Sequence, residues 1–198
     1  MKNKIFIALS GVAIAAAAWI MAQPRPLPPS IDRRGVPSWQ VDNEMPRDVF
    51  TFCRLRYSSY SGRGRKWATD YPDADLNFSY RLQELTSMKV HPDGMVLNIT
   101  DPKLTDYPFV YMAEPGDLWL SEPEVKALRG YLLNGGFLMV DDFWGGDEYD
   151  NFAAEMRRVF PDREPKELTL EHPIFHCVFD LKEKPQLTSL ERARDLLE

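Results

Sequence analysis

Between residues 49 and 57, apolar and polar positions alternate with a period of two. Val49, Thr51, Cys53, Leu55 and Tyr57 fall on one face, and Phe50, Phe52, Arg54 and Arg56 on the other. This pattern predicts a strand whose second face turns from aromatic to basic. Residues 58–75 read as a loop around Gly62-Arg63-Gly64-Arg65-Lys66. Asp73 or Asp75 then caps a helix running to about residue 88, with Phe78, Leu82 and Leu85 on its buried stripe. His91-Pro92-Asp93-Gly94 is a turn, and residues 95–100 and 109–112 are short strands. Ser121-Glu122-Pro123-Glu124 starts a second helix: Ser121 caps it, Pro123 suits the first turn and Glu124 closes a capping box. Val125, Leu128 and Leu132 form its stripe, and Gly135-Gly136 supplies the left-handed stop. Residues 137–140 are wholly apolar, which predicts a strand covered on both faces. A third helix over residues 148–160 turns Phe152, Met156, Val159 and Phe160 inward, and residues 173–180 give a last strand. Strands alternating with helices predict a layered α/β domain with a mainly parallel sheet.

The first residues follow a different rule. Lys2 and Lys4 precede an apolar stretch through Met21, and no acid occurs before Asp32. A basic start followed by an apolar run is the layout of an export signal. The run is also near the lower limit of ~17–25 residues that spans a bilayer. Residues 1–22 are therefore a signal peptide cut after Ala22 or an uncleaved N-terminal anchor. Either places the rest outside the cytoplasm, in the periplasm, soluble after cleavage or held on the inner membrane. Pro24-Arg25-Pro26-Leu27-Pro28-Pro29 cannot be helical, so residues 23–47 read as a proline-rich tether. Residues 48–198 then form a single domain, long enough to bury a core without staples.

Net charge is −6, and losing residues 1–22 removes two lysines and no acid, leaving −8. An acidic domain is a poor partner for nucleic acid or an anionic bilayer. The expected partners are a protein or a small-molecule ligand, with membrane contact only through the N-terminal segment. Cys53 and Cys177 both fall in predicted strands. They pair if those strands are neighbours with facing side chains, and are otherwise two buried thiols. No spacing suggests a zinc site or another cofactor.

Three places carry candidate chemistry. Asp141 and Asp142 leave the apolar strand at its C-terminal end, where open α/β sheets place ligand-site residues, and Phe143, Trp144, Gly145 and Gly146 follow. Adjacent carboxylates on a strand point to opposite sides. One is a candidate general base or cation ligand, and the alternative is a carboxylate capping a turn. Arg54, Arg56, Arg63 and Arg65, with Lys66, are candidate anion ligands. The competing reading pairs these arginines with Asp70, Asp73 and Asp75 just downstream. His176 becomes a candidate catalytic residue only if it meets Asp141 or Asp142 in space. Asp73-Ala74-Asp75-Leu76-Asn77-Phe78 imitates a calcium loop, but Phe78 stands where that loop needs glycine, so no metal site is expected. There is no Gly-x-Ser-x-Gly or Gly-x-Cys-x-Gly elbow, so nucleophilic acyl transfer is unsupported.

Four strings carry a resemblance: residues 50–57, residues 69–78, Gly135-Gly136-Phe137-Leu138-Met139-Val140-Asp141-Asp142-Phe143-Trp144-Gly145, and His172-Pro173-Ile174-Phe175. Together they resemble the bacterial domain-of-unknown-function family 4159 from about residue 48 to about residue 186. The resemblance implies a three-layer flavodoxin-like fold related to class I glutamine amidotransferases. It sets Asp141-Asp142 where an amidotransferase presents its cysteine nucleophile, and no thiol stands there. In the family, position 53 is usually a small non-thiol residue, which argues against a disulfide. Members also tend to continue well past the point matching Pro185, so the domain is expected to be short at its C-terminus. The functional expectation is a non-catalytic ligand- or protein-binding module. The alternative is a hydrolase using Asp141 or Asp142 with His176 or a divalent cation.

Overall fold

The structure, a computed structural model, describes residues 32–41, 45, 48–60 and 66–184. The chain divides into two units, Met1–Asp32 and Arg33–Glu198. The first lies, except for Asp32, outside the described residues, and so do Arg63 and Arg65 of the second. Six strands occur in the described part: β1 (Cys53–Arg56), β2 (Ser58–Ser59), β3 (Met95–Asn98), β4 (Phe109–Ala113), β5 (Leu118–Trp119) and β6 (Phe137–Asp141). Three helices accompany them: α1 (Asp73–Leu85), α2 (Glu122–Leu133) and α3 (Gly146–Val159).

The main sheet has the order β3-β1-β4-β6, and every pairing in it is parallel. The chain steps outward from β1 to β3, then crosses back over β1 to β4. Strand order therefore reverses between β1 and β4, the position where doubly wound sheets open a ligand crevice above their C-terminal ends. Here β2 pairs antiparallel with β5, so the loops after β1 and β4 are joined directly above that point.

The two faces of β1 divide as the alternation predicts. Cys53, Leu55 and Tyr57 are buried with Val110, Met112, Val125, Leu128 and Val159, beneath α2 and α3. Phe52 is buried on the opposite side with Tyr111 and Ala113. There Phe78 of α1 stacks against Phe109 at 6.0 Å and meets Phe52 at 5.0 Å. One helix on one face and two on the other make a three-layer α/β domain, as expected.

Helix α2 starts at its capping box, with the Ser121 backbone N–H donating to Glu124 Oε2 at 2.8 Å. Helix α1 departs from expectation. Its buried residues are Asp75, Leu76 and Ser79, while Leu85 is 78% exposed. Neither Asp73 nor Asp75 caps it, since Pro72 occupies the cap position without a side-chain bond. Asp75 instead faces the sheet to meet Arg54; of the predicted stripe, Phe78 still packs on the sheet while Leu85 is turned outward.

Strand β6 also differs. Leu138 and Val140 pack into the core, but Phe137 is 58% exposed and Met139 38%. The run is apolar on both faces, yet among the described residues β6 pairs only with β4 and stands at the sheet edge. No strand forms over residues 173–180. His172 Nδ1 accepts the Ile174 N–H at 3.3 Å, and Pro173–Phe175 close a 3-10 turn. Local capping by a side chain before proline outcompetes β propensity here. Cys177 is consequently exposed and Cys53 buried, and both are free thiols, so no disulfide forms.

Contacts of the second unit begin at its first residue. Arg33 donates to the Pro92 carbonyl at 3.1 Å, Arg34 pairs with Asp73 at 2.6 Å, and the Trp39 indole donates to the Val90 carbonyl at 2.7 Å.

At the entry to β6, a Cβ on Gly136 would lie 2.3 Å from the Tyr131 ring. The Tyr131 hydroxyl is bonded to the Tyr107 carbonyl at 2.9 Å, so the ring has little room to retreat. Gly136→Ala is expected to destabilise the protein by about 1–3 kcal/mol in urea unfolding. A loss under ~0.3 kcal/mol would show that the ring is not fixed there.

Candidate functional site

The site is built outward from Arg54. This side chain is 0% exposed in the middle of β1. Its Nε and Nη2 donate to Asp75 Oδ1 at 2.9 and 2.5 Å, and Nη1 donates to the carbonyls of Trp67 and Thr69 at 2.9 and 3.0 Å. Burial pushes the Asp75 carboxyl above its usual range, and the Arg54 guanidinium opposes that shift. The Tyr111 ring lies 4.9 Å from the guanidinium carbon. The opposite end of that ring donates its hydroxyl to Asp141 Oδ1 at 2.7 Å. Burial, and then the Asp141 bond, push the Tyr111 hydroxyl upward, so it stays a donor. A continuous chain of contacts thus runs from α1 through β1 and β4 to the end of β6.

Above this chain the strand ends converge. The Glu114 N–H donates to the Asp141 carbonyl at 3.1 Å, extending the β4–β6 ladder by one step. The Tyr57 hydroxyl is bonded to the carbonyls of Ala113 and Glu114 at 2.8 and 2.7 Å. Three acids here take the left-handed backbone: Asp70 at φ 56°, Glu114 at φ 45° and Asp142 at φ 62°. Each such residue costs on the order of 1 kcal/mol, and non-glycine cases concentrate at functional corners. Their charges reinforce one another. The Glu114 carboxyl is raised by burial, and also by Asp142 and Glu148, against Thr69 and Lys66, which lower it. The Asp142 carboxyl is raised by burial, then by Asp141 and Asp70.

Glu148, in the first turn of α3, ties these loops together. It accepts Lys66 Nζ at 3.0 Å and the Trp144 N–H at 2.9 Å. It also lies against Gly116, where a Cβ would meet its Cδ at 2.3 Å. One carboxylate therefore touches the loops after β1, β4 and β6.

Beside the switch point, a cleft of about 430 Å³ opens over the C-terminal ends of β1 and β3. Arg56, Ser58, Ser59, Asn98, Thr100 and Glu124 line it, along with Trp67. Arg56 sits over the Trp67 indole, 4.8 Å from the ring centre.

The residues singled out from sequence are distributed unevenly over this arrangement. Asp141 and Asp142 stand at the strand ends, one held by Tyr111 and the other at a left-handed corner. Arg54 is spent on its downstream aspartate, the competing reading for that residue, whereas Arg56 reaches the cleft. Phe143 packs on Phe152 at 4.9 Å, and Trp144 is 42% exposed. His176 bonds Asp180 at 2.6 Å and the Leu170 carbonyl at 2.7 Å. Both ring nitrogens are thereby occupied, and neither meets Asp141 or Asp142. Among the described residues, no group of three or more His, Cys, Asp or Glu is placed to hold a metal ion. Sequence reasoning missed Tyr111, Glu114 and Glu148. Tyr111 and Glu114 had one available signal, their place at the end of a predicted strand. Glu148 was visible only as a first-turn acid.

The chain matches the family model described as Domain of unknown function (DUF4159) over residues 51–195. No curated protein matches it.

The crowded carboxylates give a direct prediction. Because the folded-state Asp142 carboxyl is raised, its charge opposes folding above that raised value and is neutralised below it. Asp142→Asn keeps a side chain that tolerates the left-handed backbone. It should raise Tm at pH 7 by roughly 1–3 °C, and the gain should vanish as pH falls towards 4. A lower Tm at pH 7 would mean that the carboxylate is a structural anchor.

Proposed function

The chain belongs to the family of the domain of unknown function DUF4159, and from that premise we propose that it is a non-catalytic ligand- or protein-binding module working outside the cytoplasm. The observation that carries this reading is the cleft of about 430 Å³ above β1 and β3, walled by side chains that donate and accept hydrogen bonds. It lies over the C-terminal ends of β1 and β3, on the edge of the sheet where such folds hold ligands, one strand away from the reversal between β1 and β4.

The lack of a nucleophile supports binding over acyl transfer. The strand-end sequence Asp141-Asp142-Phe143-Trp144 contains no thiol or hydroxyl. Cys53 lies inside the core, its thiol pushed up to about 12 by burial and then by Asp75 and Asp101. A thiol held so high is not a nucleophile at neutral pH. The sheet order is compatible with an amidotransferase-like ancestor that has lost, or never had, glutaminase chemistry. The histidine form of the hydrolase alternative loses support, because His176 is engaged by Asp180 and the Leu170 carbonyl and not by Asp141 or Asp142. Export is supported by the basic-then-apolar order of residues 1–22. Among the described residues no helix is long and apolar enough to cross a membrane, and the N-terminal segment lies outside them.

A metabolite screen read by thermal shift on the full chain tests the reading. A ligand present at 100 times its Kd adds about 2.7 kcal/mol of stability. Arg56→Ala and Asn98→Ala should each abolish the shift while the ligand-free protein still unfolds cooperatively, with the ligand recovered unaltered. Hits that survive both substitutions, or ligand converted to product, would contradict it.

A further inference from the structure

We propose that the cleft above β1 and β3 takes an anionic, hydroxyl-rich small molecule of the sugar-acid class. This rests on the reading of that cleft as the ligand site and adds the chemistry of the ligand.

The positive end is Arg56. Among the described residues no carboxylate forms an ion pair with it. It is exposed, unlike Arg54 two residues earlier, whose donors are taken up by Asp75 and two carbonyls. Its guanidinium rests on the Trp67 indole at 4.8 Å, which limits its rotamers and leaves its N–H edge for a carboxylate.

The remaining walls suit hydroxyl groups. Ser58, Ser59 and Thr100 supply small donor–acceptor groups, and the Asn98 amide supplies two donors and an acceptor. Among the described residues Glu124 is the one acid in the lining, and its Oε2 is held by the Ser121 N–H and hydroxyl at 2.8 and 2.6 Å. Its other oxygen can accept from a ligand hydroxyl, but it repels a second anionic group. One carboxylate per ligand, turned towards Arg56, is the composition that fits. Trp119 provides an apolar platform beside this set. It pairs in register with Ser58 across β2 and β5, so the two side chains emerge on the same face. Trp119 is 51% exposed although it lies in a paired strand. An amphipathic ring next to hydroxyl-binding groups matches a pyranose, which has both apolar C–H faces and a polar edge.

Isothermal titration of the full chain with D-glucuronate, D-glucose and acetate separates the contributions. Wild type should bind glucuronate at least 10-fold more tightly than glucose or acetate. Arg56→Ala should erase that preference by weakening glucuronate alone. Trp119→Ala should weaken both sugars and leave acetate unchanged. Equal binding of glucose and glucuronate would overturn the anionic part of the proposal. Binding of acetate as tight as glucuronate would overturn the hydroxyl part. If none of the three binds while a compound that is not a sugar acid shifts Tm through Arg56 and Asn98 in the metabolite screen, the sugar-acid class is wrong and the binding module stands. If no compound acts through those residues, both fail.

Discussion

The rest of the domain depends on a charge pair buried at the centre of its sheet. Arg54 and Asp75 are 0% and 2% exposed at their side chains. Taking both charges out of water costs several kcal/mol each, and their attraction alone recovers that only with good geometry and full hydrogen bonding. The geometry here is of that kind. Asp75 accepts from two guanidinium nitrogens, two backbone carbonyls take further donors, and an aromatic ring covers the guanidinium. Those partners lie on three different segments, with Trp67 and Thr69 on the same loop. The pair thus sets the rotation of α1 on the sheet, fixes the loop after β1 through Trp67 and Thr69, and holds Tyr111 against Asp141.

That dependence explains why the strand ends are arranged as they are. The carboxylates at the ends of β4 and β6 lean on one another and on the loop carrying Asp70, an arrangement a relaxed chain would avoid. It persists because Tyr111, Tyr57 and Glu148 hold the three loops from below and above. A rigid acidic rim then stands beside a cleft whose own charge is set by Arg56. Two neighbouring regions of opposite character favour ligands with one anionic end and an uncharged, polar remainder.

Much of the layering could be read from the sequence. The alternation over residues 49–57 separated the two faces of β1 correctly, and the capping box located the start of α2. What escaped was non-local. Hydropathy assigned α1 the stripe of Phe78, Leu82 and Leu85, of which Phe78 packs on the sheet but Leu85 lies exposed, because a periodic pattern cannot weigh a buried aspartate whose partner lies 21 residues earlier. The same blindness hid Glu148, whose contacts reach 82 residues back to Lys66. The apolar run of β6 was found but not its place at the sheet edge, which is a property of topology. Strands β2 and β5 are two residues each, too short to leave a period. The strand expected over residues 173–180 gave way to a bond within a single turn. At the strand ends, Asp141 and Asp142 were legible because an apolar run ended in charge, whereas Tyr111 looked like one more apolar strand residue.

A double-mutant cycle on Arg54 and Asp75, followed by urea unfolding of the full chain, tests this dependence most directly. Arg54→Met and Asp75→Leu should each cost about 3–5 kcal/mol, because each strands a buried charge or leaves its neighbours without donors. The double variant should be more stable than either single one, giving a coupling of at least about 2 kcal/mol. Single losses below about 1 kcal/mol that simply add would contradict the claim that this pair organises the sheet and its site.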